Sequence, residues 1–197
     1  MSRIPPAPRE QLAEFEPFFQ MAESSMGFVP RSLYVMGRLP EILRPFSMLA
    51  ATVLGPGTID PGLKQLIAYV ASNASGCRYC QAHTSAHAAR FGVPTQKIEH
   101  AFEFESSPDF TAAERVALRL ARDSAIVPNG VRADHFRELR EHFGEEQIVE
   151  MVAVAALFGW LNRWNDTLAT ELEDEPRRFA GQHLTGSGWD VGKHGRP

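Results

Sequence analysis

The chain has 197 residues, 44% apolar and 22% charged, enough for a domain with its own core and no disulfide staples. Twenty basic against 24 acidic residues leave a formal net charge of −4, and no basic run marks a nucleic-acid surface. The opening MSRIPPAPRE lacks the apolar centre of a secretory signal, and the longest apolar stretch, Ile148 to Leu161, carries Glu150 and is too short to span a bilayer; the expectation is a cytoplasmic protein. Nearly every segment then reads as helix. REQLAEFEPFFQMAESS places Leu12, Phe15, Phe18 and Phe19 at helical spacing, with Pro17 as a kink or restart. RSLYVMGR is a short helix before Pro40, which opens the helix PEILRPFSMLAATVL. In the loop GPGTIDPG, Asp60 and Pro61 read as N-cap and first helical residue of LKQLIAYVASNA. PTQKIEHAFEF is helix-like. TAAERVALRLARDSAIV opens with Thr111 and Glu114 at capping-box spacing. ADHFRELREHF is amphipathic, and its His135, like His100 and His142, is expected to be exposed. EEQIVEMVAVAALFGWLNRWNDTLATELE is apolar around most of its middle, which predicts the central helix of the domain. No segment alternates at period two. The reading is an all-α fold of about eight helices.

The stretch SGCRYCQAHTSAHAARFG holds both cysteines of the chain, Cys77 and Cys80, and two of its seven histidines, His83 and His87. Asn73, Ser75 and Gly76 favour a break, so Cys77 sits at a helix start, where free N–H groups and the helix dipole favour a thiolate. At ~100° per residue, His83 and His87 lie within ~60° and ~20° of the Cys80 direction. An imidazole can therefore approach Cys80 from the next turn and take its proton. Zinc is a second reading, but a tetrahedral ion must be surrounded, and four ligands on one helix face project from a single side. Two inert cysteines are a third. Arg78, between the cysteines, is either a charge that favours a thiolate or a surface ion pair.

LKQLIAYVASNASGCRYCQAHTSAHAARFGV, with its Cys-x-x-Cys-x-x-His at a helix start, resembles the carboxymuconolactone decarboxylase family, and within it the alkylhydroperoxidase D-like, peroxidase-related branch. The resemblance is strongest over residues 60 to 95 and extends from MGFVPRSLYVMGRLPEIL to GWLNRWNDTLATELE. It implies one alkylhydroperoxidase D-like helical domain over residues 1–175; the glycine-rich, polar composition of residues 176–197 predicts an irregular tail. The resemblance implies a homo-oligomer, and the apolar long helix, the aromatics near the amino terminus and the Trp189-bearing tail are the expected contact surfaces. It also implies a thiol-dependent peroxidase of antioxidant type, with Cys80 attacking a hydroperoxide and Cys77 resolving the product as a disulfide. A lipoylated or thioredoxin-like dithiol protein would be the reductant, and no metal, flavin or haem is implied. The family's relay has a histidine four residues after the second cysteine and a glutamate twelve before the first. Here those positions are Thr84 and Gln65. His83 or His87 then falls to the role of base and Gln65 to that of a polar positioner; Asp166 is either a replacement carboxylate or, the preferred reading, a solvated residue on a helix leaving the core.

Two other functions fit the same scaffold. A decarboxylase-type lyase acting on a lactone acid needs a cation for the substrate carboxylate and no reactive cysteine pair. A non-catalytic redox-sensing helical assembly needs the dithiol but no relay.

Overall fold

A computed structural model describes residues 2–195, and within them there is no β-strand. A 3₁₀ turn, Arg9–Phe15, leads into α1 (Glu16–Met26). Pro17 stands in the first turn of α1, where its missing N–H costs nothing, so the chain restarts there. The other helices are α2 (Arg31–Met36), α3 (Pro40–Leu54), α4 (Pro61–Ala74), α5 (Arg78–Arg90), α6 (Thr95–Glu99), α7 (Ala112–Ala125), α8 (Ala133–Leu139), α9 (Glu145–Leu168) and α10 (Asp174–His183). Of these ten, eight have seven residues or more. No helix among the described residues is long and apolar enough to cross a membrane.

Local chemistry sets several boundaries. Asp60 caps α4 by accepting from the Leu63 N–H at 3.0 Å. Thr111 and Glu114 form the reciprocal box of α7.

The central helix is α4, not α9. Eleven consecutive residues of α4, Gly62 to Ser72, are buried, and it packs against α5, α7 and α9. Even Lys64 is buried, its ammonium held by the carbonyls of Val53 and Gly55 and by Glu150 at 2.5 Å. By contrast α9 buries one face, with Ile148, Met151, Val154 and Phe158, and leaves Val149, Val152 and Trp160 exposed. Apolarity all round α9 therefore does not mean burial all round.

The C-terminal segment departs from the expectation of an irregular tail. Residue 176 lies inside α10, which packs on α5, and two 3₁₀ turns follow. Trp189 donates to the Arg78 carbonyl at 3.1 Å, so the indole pins the segment to its own chain. Residues 196 and 197 lie outside the described residues. His135 is also a correction: it is buried, 2.8 Å from Asp123, because α8 folds back on α7.

Candidate active site

The turn between α4 and α5 places the cysteines. Gly76 adopts φ +73°, the left-handed region that suits a residue without Cβ. The Cys77 N–H then bonds back to the Ser72 carbonyl at 3.0 Å, the six-to-one bond of a Schellman motif. The chain reverses here, and α5 starts against α4 with Cys77 as its N-cap. The Cys80 N–H donates to the Cys77 sulfur at 3.4 Å, so sulfur takes the capping place usually held by a serine or aspartate oxygen. Both cysteines are buried and free.

Cys80 lines a cavity of about 480 Å³, enclosed by α1, α2, α3, the start of α4, α5 and α9. Its walls are largely apolar, with Phe18, Leu33, Phe46, Phe158 and Leu161. No lysine, arginine, aspartate or glutamate lines it among the described residues. Met21, Ser25 and Phe91 line it and are exposed, which puts its mouth between α1 and the end of α5. Cys77 does not line it. Burial pushes the Cys80 thiol well above the usual cysteine range, and the neighbouring Cys77 sulfur adds to this, while a hydrogen bond from Asn165 opposes it. At neutral pH Cys80 is a thiol and needs a base.

His83 and His87 both line the same cavity, and they differ. His87 lies 2.8 Å from the Ser25 hydroxyl. Burial, then repulsion from His83 and Arg90, lowers its pKa to about 4, so it is neutral at pH 7. His83 Nε2 lies 2.6 Å from Glu173 Oε2, and the ring is clamped between Tyr79, stacked at 4.3 Å, and the edge of Phe28 at 5.4 Å. Glu173 is the residue that sequence reasoning missed. It precedes α10 and does not line the cavity; it reaches His83 from outside the cavity lining. Its Oε1 accepts from the Tyr79 hydroxyl at 3.0 Å and from the Arg31 N–H at 2.5 Å. Burial pushes this carboxyl up, but attraction and hydrogen bonding from His83, with the Arg31 N–H, outweigh it and hold the carboxyl below the usual range. Burial and the Glu173 charge push the Tyr79 phenol well up, so it stays a donor. With Nε2–H committed to the carboxylate, Nδ1 of His83 is the ring atom left to accept a proton.

The other candidates take ordinary places. Gln65 is buried and lines the cavity. The Thr84 hydroxyl donates to the Cys80 carbonyl at 2.7 Å, which leaves it out of any proton relay. Asp166 pairs with Lys193 at 2.7 Å rather than with a cavity histidine. Arg78 forms the ion pair, with Asp190 at 3.2 Å. Among the described residues no group of three or more His, Cys, Asp or Glu side chains is placed to hold a metal ion.

Known proteins share this arrangement of helices. The model of the carboxymuconolactone decarboxylase family matches residues 40–123. The debrominase Bmp8, solved alone and as a cysteine-to-alanine variant in complex with 2,3,4-tribromopyrrole, is 34% identical; the complex superposes with a TM-score of 0.86 over 91% of this chain and 96% of that one. A peroxidase-related protein from Ralstonia eutropha JMP134, with an alkylhydroperoxidase AhpD core, shares the fold at 22% identity and a TM-score of 0.76, over 91% of this chain and 95% of that one. YdfG of Bacillus subtilis (strain 168) is 28% identical over 110 residues, 55% of this chain and 72% of that protein. With a relative at 34% identity over nearly its full length and the family model over its central helices, the chain belongs to the carboxymuconolactone decarboxylase family, and it shares its fold with the alkylhydroperoxidase D-like, peroxidase-related protein.

Proposed function

We propose that the protein is a dithiol-dependent reductase of compact, neutral, apolar organic molecules. The observation that carries this reading is the Cys80 sulfur in an uncharged, aromatic-lined cavity of about 480 Å³, with a second thiol one helical turn away and outside that cavity. Such a cavity suits an organic group far better than hydrogen peroxide. The absence of any lining cation among the described residues leaves a substrate carboxylate without a partner, which speaks against the lyase. A buried His–Glu pair beside the thiol has no use in a passive sensor, which speaks for an enzyme.

The substrate class favoured is a halogenated aromatic ring, supported by the cavity lining and by full-length likeness to a debrominase. His83 takes the Cys80 proton. The thiolate attacks the halogen, the carbon–halogen bond breaks, and the ring carbon takes the proton back from His83. Cys80 then carries a sulfenyl halide. The Cys77 sulfur attacks it, halide leaves, the Cys77 proton is released and a disulfide remains. The sum is a ring halide and two thiols giving a ring hydrogen, a disulfide, a halide ion and a proton.

An organic hydroperoxide is the second reading, suggested by the likeness in fold to a peroxidase-related protein. There the thiolate attacks oxygen, the O–O bond breaks, an alcohol leaves, and Cys77 displaces water from the sulfenic acid. Either way the disulfide must be reduced by an external dithiol. Both sulfurs are buried, so a slender lipoyl-type arm entering the cavity fits better than the face of a thioredoxin-like protein.

The test is a single turnover of fully reduced protein with a bromopyrrole, with cumene hydroperoxide and with neither. Bromide released in a one-to-one ratio with the Cys77–Cys80 disulfide supports the first reading, and cumyl alcohol in that ratio the second. Disulfide formed at the same slow rate in all three would leave the dithiol as a sensor and refute both.

A further inference from the structure

Asn165, on the buried face of α9, has one half of its amide occupied and the other half open. Its Nδ2 donates to the Cys80 sulfur at 3.6 Å. Its Oδ1 is buried and accepts from no group among the described residues. The residue is 1% exposed and lines the cavity. The two heteroatoms share one carbon, so the unused acceptor lies one amide's width from the nitrogen that meets the sulfur. Burying an amide oxygen without a donor is unfavourable, and the cavity walls are largely apolar.

We propose that the cavity selects a neutral aromatic ring bearing an N–H or O–H donor, and that Asn165 Oδ1 accepts that hydrogen bond beside the Cys80 sulfur. The amide then performs two tasks at once. Nδ2 steadies the sulfur as it becomes anionic, and Oδ1 fixes the ring so that a chosen edge meets it. Accepting from a ring N–H or O–H also raises the electron density of the ring, which favours proton uptake at the carbon that loses its halogen. A second buried, unpartnered polar atom, Ser32 Oγ on α2, lines the same cavity and can take a further polar substituent. The uncharged lining requires the donor to be neutral: a pyrrole-type N–H or an un-ionised phenol, not an ammonium. The substrate class assigned here rests on the proposed reading of Cys80 as the attacking atom; the binding preference does not.

Binding is measured by titration calorimetry on the Cys80→Ser protein, which cannot turn over, with probe pairs that differ in the donor and hardly in size. The pairs are 2,3,4-tribromopyrrole against 2,3,4-tribromothiophene, and 4-bromophenol against 4-bromofluorobenzene. The donor member of each pair is expected to bind about tenfold tighter, the worth of one well-made hydrogen bond to a buried acceptor. In Cys80→Ser with Asn165→Leu the preference should vanish, both members binding alike. Equal affinities within each pair in the Cys80→Ser protein overturn the inference, whatever becomes of the leucine variant. A preference that survives Asn165→Leu places the acceptor elsewhere and also overturns it. If the preference is found but no bromide is released by the wild-type protein, the proposed dehalogenation fails and the binding inference stands.

Discussion

Glu173→Gln is the sharpest perturbation of the site, because it preserves shape and changes one charge and one hydrogen-bonding role. In the native arrangement Oε1 accepts from Tyr79 and Arg31, and Oε2 faces His83 Nε2 at 2.6 Å. A glutamine keeps its oxygen for the two former donors, so its NH₂ group faces His83. Two donors cannot share that contact. The imidazole must move its proton to Nδ1, and the atom that served as base becomes a donor. The imidazolium formed on deprotonating Cys80 also loses its counter-charge. At an effective interior dielectric of about 20, two unit charges roughly 4 Å apart attract by about 4 kcal/mol, close to 10³ in rate. Positioned general bases are worth ~10²–10⁴-fold, so the two estimates agree on a loss of about 10²–10³.

The assay need not assume a substrate. Alkylation of Cys80 by an uncharged electrophile, followed by mass spectrometry in a Cys77→Ser background, reads thiolate formation directly against pH. Wild-type reactivity should begin well below the pH at which a buried thiol ionises unaided, and Glu173→Gln should lose that early limb. Ring ¹⁵N shifts should report His83 changing from the Nε2–H to the Nδ1–H tautomer. A variant within twofold of wild type, with an unchanged pH profile and tautomer, would refute the relay and leave Glu173 as a packing element between α10 and α2.

Four further outcomes are expected. Cys80→Ser abolishes dithiol-dependent turnover, whereas Cys77→Ser leaves a trappable oxidised sulfur on Cys80; finding that species on Cys77 instead would reverse the assignment. Gln65→Glu gives no rise in rate, since Glu173 already serves His83, and it buries a carboxylate in an apolar wall. Its folded pKa is then raised, so the melting temperature falls at neutral pH and recovers below the usual carboxylate pKa of ~4.3. The native His87 has a depressed pKa of about 4, so its contribution to stability is full above ~6.5 and is lost as pH falls toward the folded value; His87→Asn should flatten the stability profile in that window. The exposed Val149, Val152 and Trp160 on α9 lead to the expectation of a homo-oligomer at micromolar concentration, which Val152→Glu should shift toward monomer in sedimentation; a wild-type monomer would count against it.

What could be read from the sequence was local. Asp60 as a cap, the Thr111–Glu114 box and Cys77 at a helix start each depend on residues three or four apart, and each forms as the spacing requires. The dithiol and both histidines of the site belong to one helix, so they were legible together. Glu173 was not. It lies in the run ELEDEP, where four acids in six residues have the composition of a solvated segment. Only the fold-back of the chain after α9 brings one of them to His83. With glutamine at position 65, Asp166 was one candidate for the missing acid, weighed against a solvated residue at the helix end, and Lys193 of the C-terminal segment takes it. That segment was itself misread, because glycines at 181, 186 and 188 suggest irregularity while the contacts of Trp189 and α10 with α5 are non-local. The roles of α4 and α9 were exchanged for a related reason: apolar composition measures how much a helix can bury, and neighbours on every side decide how much it does.

The position of the carboxylate has a consequence for substrate choice. A glutamate at position 65 would stand in the cavity wall, where its charge would repel an electron-rich ring and draw in water. Glu173 delivers the same charge to the far nitrogen of His83, with the imidazole between it and the cavity. In the proposed relay the cavity wall carries no carboxylate among the described residues, while His83 within that wall keeps its counter-charge from outside the lining. Desolvation that favours an apolar ligand also raises the Cys80 thiol, so the two demands conflict unless the base is supported from outside the cavity. Because Glu173 sits at the start of α10 and accepts from the Arg31 N–H on α2, that support depends on the C-terminal segment being docked. The segment expected to be an irregular tail thus supports the proposed relay, and removing residues from 174 onward should cost thiol reactivity as Glu173→Gln does, by freeing the glutamate rather than by neutralising it.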